Sequence, residues 1–147
     1  MKNLPLCRWV LRGVVALVVV APVWADDRPA HTFIERGTGG TAPHTLNIEN
    51  RTGRPLHCTA ALAHWFSDAL GSAPDGDTLT VALWHEAENG VLNRLNEGGD
   101  RMPVEAITCT AGDARARLTL PIRAGAVPET ARHVCRAIGD GIACEGG

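Results

Sequence analysis

Cys58, Cys109, Cys135 and Cys144 carry the most decisive chemistry in this chain. Thiolate catalysis needs a free cysteine activated by a neighbouring charge. Four cysteines in an exported chain instead predict two disulfides. One pairing follows from local geometry. Gly139-Asp140 is a favoured two-residue hairpin loop, because Gly supplies a positive φ. Folding the chain there sets Ile138 against Gly141, Ala137 against Ile142, Arg136 against Ala143 and Cys135 against Cys144. Cys58 and Cys109 remain to pair with each other.

The histidines offer a second chemistry. His57, His64, His85 and His133 fall near predicted strands, and His64 and His85 each close an apolar alternation beside a tryptophan, Trp65 and Trp84. A histidine metal site is one reading of them, strand-end histidines the plainer one. We therefore assign no metal and no cofactor, and mark Trp65, Trp84, His64 and His85 as a possible binding surface.

Catalytic patterns fail at their essential positions. His85-Glu86-Ala87-Glu88-Asn89 approaches the zinc-protease motif, but Asn89 replaces the second histidine and the segment reads as strand into turn. Ser67 and Ser72 are the only serines after residue 25, and neither lies in a Gly-x-Ser-x-Gly elbow. Asp75-Gly76-Asp77 is a fragment of a calcium loop without the further carboxylates. Gly37 to Thr41 is glycine-rich but lacks the Lys-Ser or Lys-Thr of a phosphate loop. Met102 lies seven residues before Cys109, and no Cys-His-Met cluster for copper exists.

The N-terminus bears on compartment. Lys2, Arg8 and Arg12 flank the apolar run Gly13 to Ala21, and Val23-Trp24-Ala25 places small residues where a signal peptidase reads. Gly13 to Ala25 falls well short of the roughly 20 apolar residues of a membrane span. Residues 1–25 are therefore expected to be a cleaved signal peptide, and the mature chain periplasmic or secreted without a membrane span. Losing Lys2, Arg8 and Arg12 leaves 11 basic against 16 acidic residues, a mature net charge of −5. An acidic domain with no basic run argues against nucleic acid or an anionic membrane as partner.

The elements that must position these residues read as β. Residues 26–43 are polar and expected to be flexible. Residues 44–147 form one β domain, expected as a small disulfide-stapled sandwich or barrel. Its core is poor in aromatics: Phe33, Trp65, Phe66 and Trp84 are the only ones after residue 25. Residues 45–50 alternate, with Leu46 and Ile48 on one face. Residues 56–66 are apolar on both faces, as in a central strand covered on both sides, and residues 67–77 read as loop. Residues 78–86 form a second strong strand, with Leu79, Val81, Leu83 and His85 on one face. Asn89-Gly90 marks a short hairpin into residues 91–95. Further strands are expected at 104–110 and 114–122, with a closing pair around Gly139-Asp140-Gly141. If the strands at 56–66 and 78–86 pair directly, Leu62 meets Leu83, Trp84 meets Ala61 and Trp65 meets Thr80. An immunoglobulin-like sandwich would use Cys58–Cys109 as an inter-sheet bridge. Trp65 follows Cys58 too closely for that family's core tryptophan, and there is no tyrosine.

Function is narrowed mainly by the missing catalytic constellation. The expected role is a non-catalytic binding, accessory or assembly module acting on another exported protein. The alternatives are a small exported hydrolase using His64, His85 and Glu86, and a periplasmic metal carrier using histidines.

Overall fold

The computed structural model describes residues 34–120, 123–127 and 129–147. The signal-peptide reading of residues 1–25 lies outside them. The described chain is built almost wholly of strands: β1 Ala42–Arg51, β2 Leu56–Leu62, β3 Phe66–Ala73, β4 Thr78–His85, β5 Leu92–Leu95, β6 Arg101–Ala111, β7 Ala114–Arg117, β8 Thr130–Ile138 and β9 Gly141–Gly146. The mostly β, disulfide-stapled class is thus observed. The strands share a single open sheet in the order β3-β2-β6-β5-β4-β1-β8-β9, with β7 added on β6.

Strand β6 makes this arrangement possible. Its first residues pair with β5 at Asn93↔Pro103, Arg94↔Met102 and Leu95↔Arg101. Its later residues pair with β2 on one edge and with β7 on the other. The far strand β9 then comes up against β7 without a ladder between them. The sheet is therefore curled around one core. Leu46 and Ile48 of β1, Leu56, Cys58 and Ala60 of β2, Val81 and Leu83 of β4, and Ile107 and Cys109 of β6 all belong to that core. Aliphatic side chains and cystines fill it, as the scarcity of aromatics requires.

Local patterns predicted the best-defined strands. Leu46 and Ile48 are fully buried. In β4 the buried residues are Val81, Leu83 and His85, with Leu79 partly buried beside them. The hairpin β8–β9 has the expected register, Ile138↔Gly141 through Cys135↔Cys144, and Gly139 in its loop has φ +55°. Both disulfides are as derived: Cys135–Cys144 and Cys58–Cys109.

Other expectations are corrected. Residues 56–66 are not one strand covered on both sides. Leu56, Cys58, Ala60 and Leu62 are buried while His57, Thr59 and Ala61 are exposed, and the strand ends at Leu62. The chain reverses there and returns as β3, so most of the expected 67–77 loop is a strand. That return occupies one edge of β2, and β6 occupies the other. Strand β4 is flanked by β1 and β5, so β2 and β4 do not pair and the Leu62–Leu83 register does not arise. The Cys58–Cys109 bridge joins directly paired neighbours of one sheet rather than two sheets. Strand β6 begins at Arg101, three residues before expectation, and β7 ends at Arg117.

Asn89-Gly90 does not form a two-residue hairpin either. The last β4–β5 pair is His85↔Leu92, which leaves a six-residue connection. Asn89 Oδ1 accepts from the Val91 amide (2.9 Å), and the Gly90 amide donates to the Glu86 carbonyl (2.8 Å). Gly90 is required here twice over. Its φ is +80°, and a Cβ there would lie 2.2 Å from the Arg123 carbonyl carbon.

Candidate binding surface

The turn between β2 and β3 is the most unusual backbone in the described chain. Leu62 pairs with Phe66, so Ala63, His64 and Trp65 alone make the reversal. His64 has φ 64° and ψ 31°, and Trp65 has φ 69°. No other described residue apart from glycine has positive φ. Left-handed geometry costs a residue with a Cβ roughly 1–2 kcal/mol. Hairpins normally place Asn, Asp or Gly at such positions. Here the chain places a histidine and a tryptophan.

The tryptophan gains nothing from its own fold. Trp65 is fully exposed at 102%, and Phe66 next to it is 61% exposed. Covering a large aromatic side chain releases on the order of 5 kcal/mol before the costs of association. A third exposed apolar residue, Ile34, lies on the same strand edge. Arg36 bridges Asp100, and the Arg101 amide donates to the Glu35 carbonyl (2.8 Å). Residues 34–36 therefore run antiparallel to the start of β6, on the edge away from β5. From Val104 onward that same edge is taken by Leu62 of β2. Ile34 and the Trp65–Phe66 turn thus follow one another along one edge of β6. Between His57 and Asp68 there is no Asp, Glu, Lys or Arg, so the tip carries no carboxylate, ammonium or guanidinium group.

Arg101 anchors this end of the domain. Its guanidinium, only 8% exposed, donates from Nε to the Gly37 carbonyl (2.7 Å), from Nη2 to the Gly39 carbonyl and from Nη1 to Glu35. Glu86 lies 3.7 Å from the same Nη1. Residues 35–39, within the segment expected to be flexible, are thus wrapped around a nearly buried cation. At the edge of β3, Asp68 accepts from Arg94 Nε (2.8 Å).

The four residues singled out from sequence fall into two pairs. His64 and Trp65 share the exposed tip. Trp84 and His85 lie on β4, separated from β2 in the sheet by β6 and β5. Trp84 is half-buried, in register with Pro43 and Asn93. His85 is 1% exposed and lies with Nε2 3.3 Å from the Arg123 carbonyl, to which it donates. Glu86, the third hydrolase candidate, accepts from Asn89 (2.6 Å) and Asn93 (2.6 Å). The three hydrolase candidates are thus divided, His64 at the exposed tip and His85 and Glu86 at the end of β4. Among the described residues, no group of three or more His, Cys, Asp or Glu side chains is gathered so as to hold a metal ion.

Sequence reasoning missed Phe66, Ile34 and Arg101. Alternation places Phe66 at the end of a buried strand, whereas it stands exposed beside the turn. Ile34 and Arg101 depend on a pairing 64 residues apart in sequence, which no local signal announces. A cleft of about 40 Å³ at the opposite end is lined by Thr52, Arg54, Ala111 and Ile142 among others. It has room for only a few water molecules.

No family model, no curated protein and no solved structure matches this chain. The functional reading therefore rests on the residues themselves. No helix among the described residues is long and apolar enough to cross a membrane.

Proposed function

We propose that this protein is an exported, non-catalytic binding module that engages another exported protein through the tip of its β2–β3 hairpin. The observation that carries the reading is Trp65: a fully exposed tryptophan held in left-handed geometry, with Phe66 exposed beside it. Local strain without local packing gain is the usual mark of a position kept for function. Tryptophan is the residue most enriched at the energetic centres of protein interfaces. The two disulfides support an oxidising compartment, and the basic, apolar and small-residue order of residues 1–25 supports export.

The test is site-specific photo-crosslinking in the exporting host. A photoreactive residue replaces Trp65 in one variant and Ile138, an exposed apolar residue on the β8–β9 hairpin, in a control. The expected result is one discrete protein adduct from position 65, competed away by excess unlabelled protein and not formed from position 138. Equal, diffuse labelling at both positions would sink the reading. N-terminal sequencing of the exported product should begin at Asp26.

A further inference from the structure

We infer that Cys135–Cys144 is an exchangeable disulfide that latches β9 to β8, and that its reduction by a dithiol releases β9 while Cys58–Cys109 stays closed. Exchange needs a thiolate in line with a sulfur atom, so a bridge inside a stable sheet is protected until its strands separate. The two bridges differ in what must separate. Cys58 on β2 has Gly71 of β3 in register on one side and Cys109 of β6 on the other. Cys109 has Ala116 of β7 on its far side. Both cysteines are at most 2% exposed. Reaching either sulfur means parting central strands, and with them the core.

The other bridge lies at the end of the sheet. Strand β9 is last in the hydrogen-bonded order, and its ladder is with β8 alone, six residue pairs from His133↔Gly146 to Ile138↔Gly141. Strand β7 lies against its other side without a ladder. The inward side chains of β9 are Ile142 and Cys144, and both are only partly buried. Gly141, Ala143, Glu145 and Gly146 add little apolar surface to hold it. Opening β9 therefore breaks one ladder and leaves Leu46, Ile48, Cys58 and Ile107 packed together. Cys135 is fully buried and Cys144 partly exposed, so attack falls on Cys144 Sγ.

One thiolate of the dithiol attacks Cys144 Sγ, the S–S bond breaks, and Cys135 leaves as a thiolate. The second thiol of the reductant protonates Cys135 and, now a thiolate, attacks its own sulfur in the mixed disulfide. Cys144 leaves and is protonated in turn. Two electrons and two protons have passed to the cystine, and the reductant ends as a disulfide. Release of β9 uncovers a sealed row on β8. Gly146 covers His133 so closely that a Cβ there would lie 3.2 Å from Nε2, and Cys135 is buried on the same face. His133 Nε2 donates to the Thr119 carbonyl (3.0 Å), and Nδ1 has no hydrogen-bond partner among the described residues. Reduction thus exposes an imidazole and a thiol, and makes β8 the new edge of the sheet.

The test uses the oxidised mature protein at neutral pH without denaturant. Dithiothreitol is added in excess, samples are quenched at intervals with an alkylating agent, and the cysteines are mapped by mass spectrometry. Cys135 and Cys144 should be alkylated together, roughly a hundredfold faster than Cys58 and Cys109. Amide exchange on the two-thiol product should show β9 unprotected and β1, β2, β4 and β6 still protected, with the His133 ring resonances shifted. Cys135→Ser with Cys144→Ser should show the same open β9 without reductant. If that variant does not fold, the wild-type time course still decides. Equal rates at all four cysteines, earlier opening of Cys58–Cys109, or no reduction short of unfolding would overturn selective exchange. Selective reduction with β9 still protected would overturn the latch.

Discussion

Cys58 stands directly opposite Cys109 on neighbouring strands, with their Cα atoms 4.1 Å apart, and the bridge closes a loop with a sequence separation of 51. Cys135 and Cys144 repeat the arrangement on β8 and β9 with a separation of 9. Chain entropy makes the longer loop worth about 4 kcal/mol and the shorter about 2.5–3 kcal/mol. Replacing Cys58 and Cys109 by alanine should therefore lower the urea-unfolding free energy more than replacing Cys135 and Cys144. Equal losses, or the reverse order, would contradict the entropic account. Non-reducing peptide mapping should recover only these two linkages.

Asn50 holds together the end of the domain opposite the tip. It is fully buried. Its Nδ2 donates to the carbonyls of Arg54 (2.7 Å) and Ala73 (2.9 Å), and its Oδ1 accepts from the Thr52 amide and hydroxyl. Truncation strands several of these groups. Asn50→Ala should cost about 3 kcal/mol and Thr52→Ala about 1 kcal/mol by urea titration. A loss at Asn50 below 1 kcal/mol would mean that water replaces the network.

Two glycines with similar φ separate strain from crowding. Gly53 has φ +75° and open space around its Cβ position, whereas Gly90 has φ +80° and the Arg123 backbone against it. Gly53→Ala should cost about 1 kcal/mol. Gly90→Ala should cost about 2–4 kcal/mol, because residues 123–124 must also move. Thermal unfolding of the pair measures the difference.

Acid should weaken the protein partly through Glu49. Its carboxylate accepts from Arg132 and Arg51, and these guanidiniums, Arg132 foremost, hold it below its ordinary value of 4.5. Asp100 is held below 3.8, first by the Asn96 amide and then by Arg36. A carboxylate with a lowered folded pKa contributes stability that is fully present above its unfolded value. That contribution is lost as pH falls through the folded value. The window therefore opens below about pH 4.5 for Glu49. Glu49→Gln should lose less stability between pH 6 and pH 3 than the wild type does. An identical slope would show that the pair is screened by solvent.

The tip should trade stability for contact. Replacing His64 by Asn and Trp65 by Gly gives the turn residues that tolerate left-handed backbone. The doubly substituted protein should gain about 1 kcal/mol, a rise of a few degrees in Tm. It should also lose the crosslinked adduct described above. A fall in Tm would mean that Trp65 packs on its own fold.

The sequence by itself determined the strands whose pattern is local, and one disulfide. Leu46 and Ile48, or Val81 and Leu83, lie two residues apart, so alternation alone sets their common face. Cys135–Cys144 follows from counting outward from Gly139-Asp140, because a tight turn dictates its own register. Tertiary structure decided what turn chemistry did not announce. His64 and Trp65 carry no turn signal, so no local pattern marks the reversal at Leu62, and the Gly, Ser and Asp of β3 read as loop. Without β3, the partner of β2 could not be chosen. Once β3 takes one edge of β2 and β6 the other, β4 must pair elsewhere. The approach of Glu35 and Arg36 to Asp100 and Arg101 has the same cause. A contact between residues more than sixty apart depends on the closure of the whole sheet, and no local window contains it.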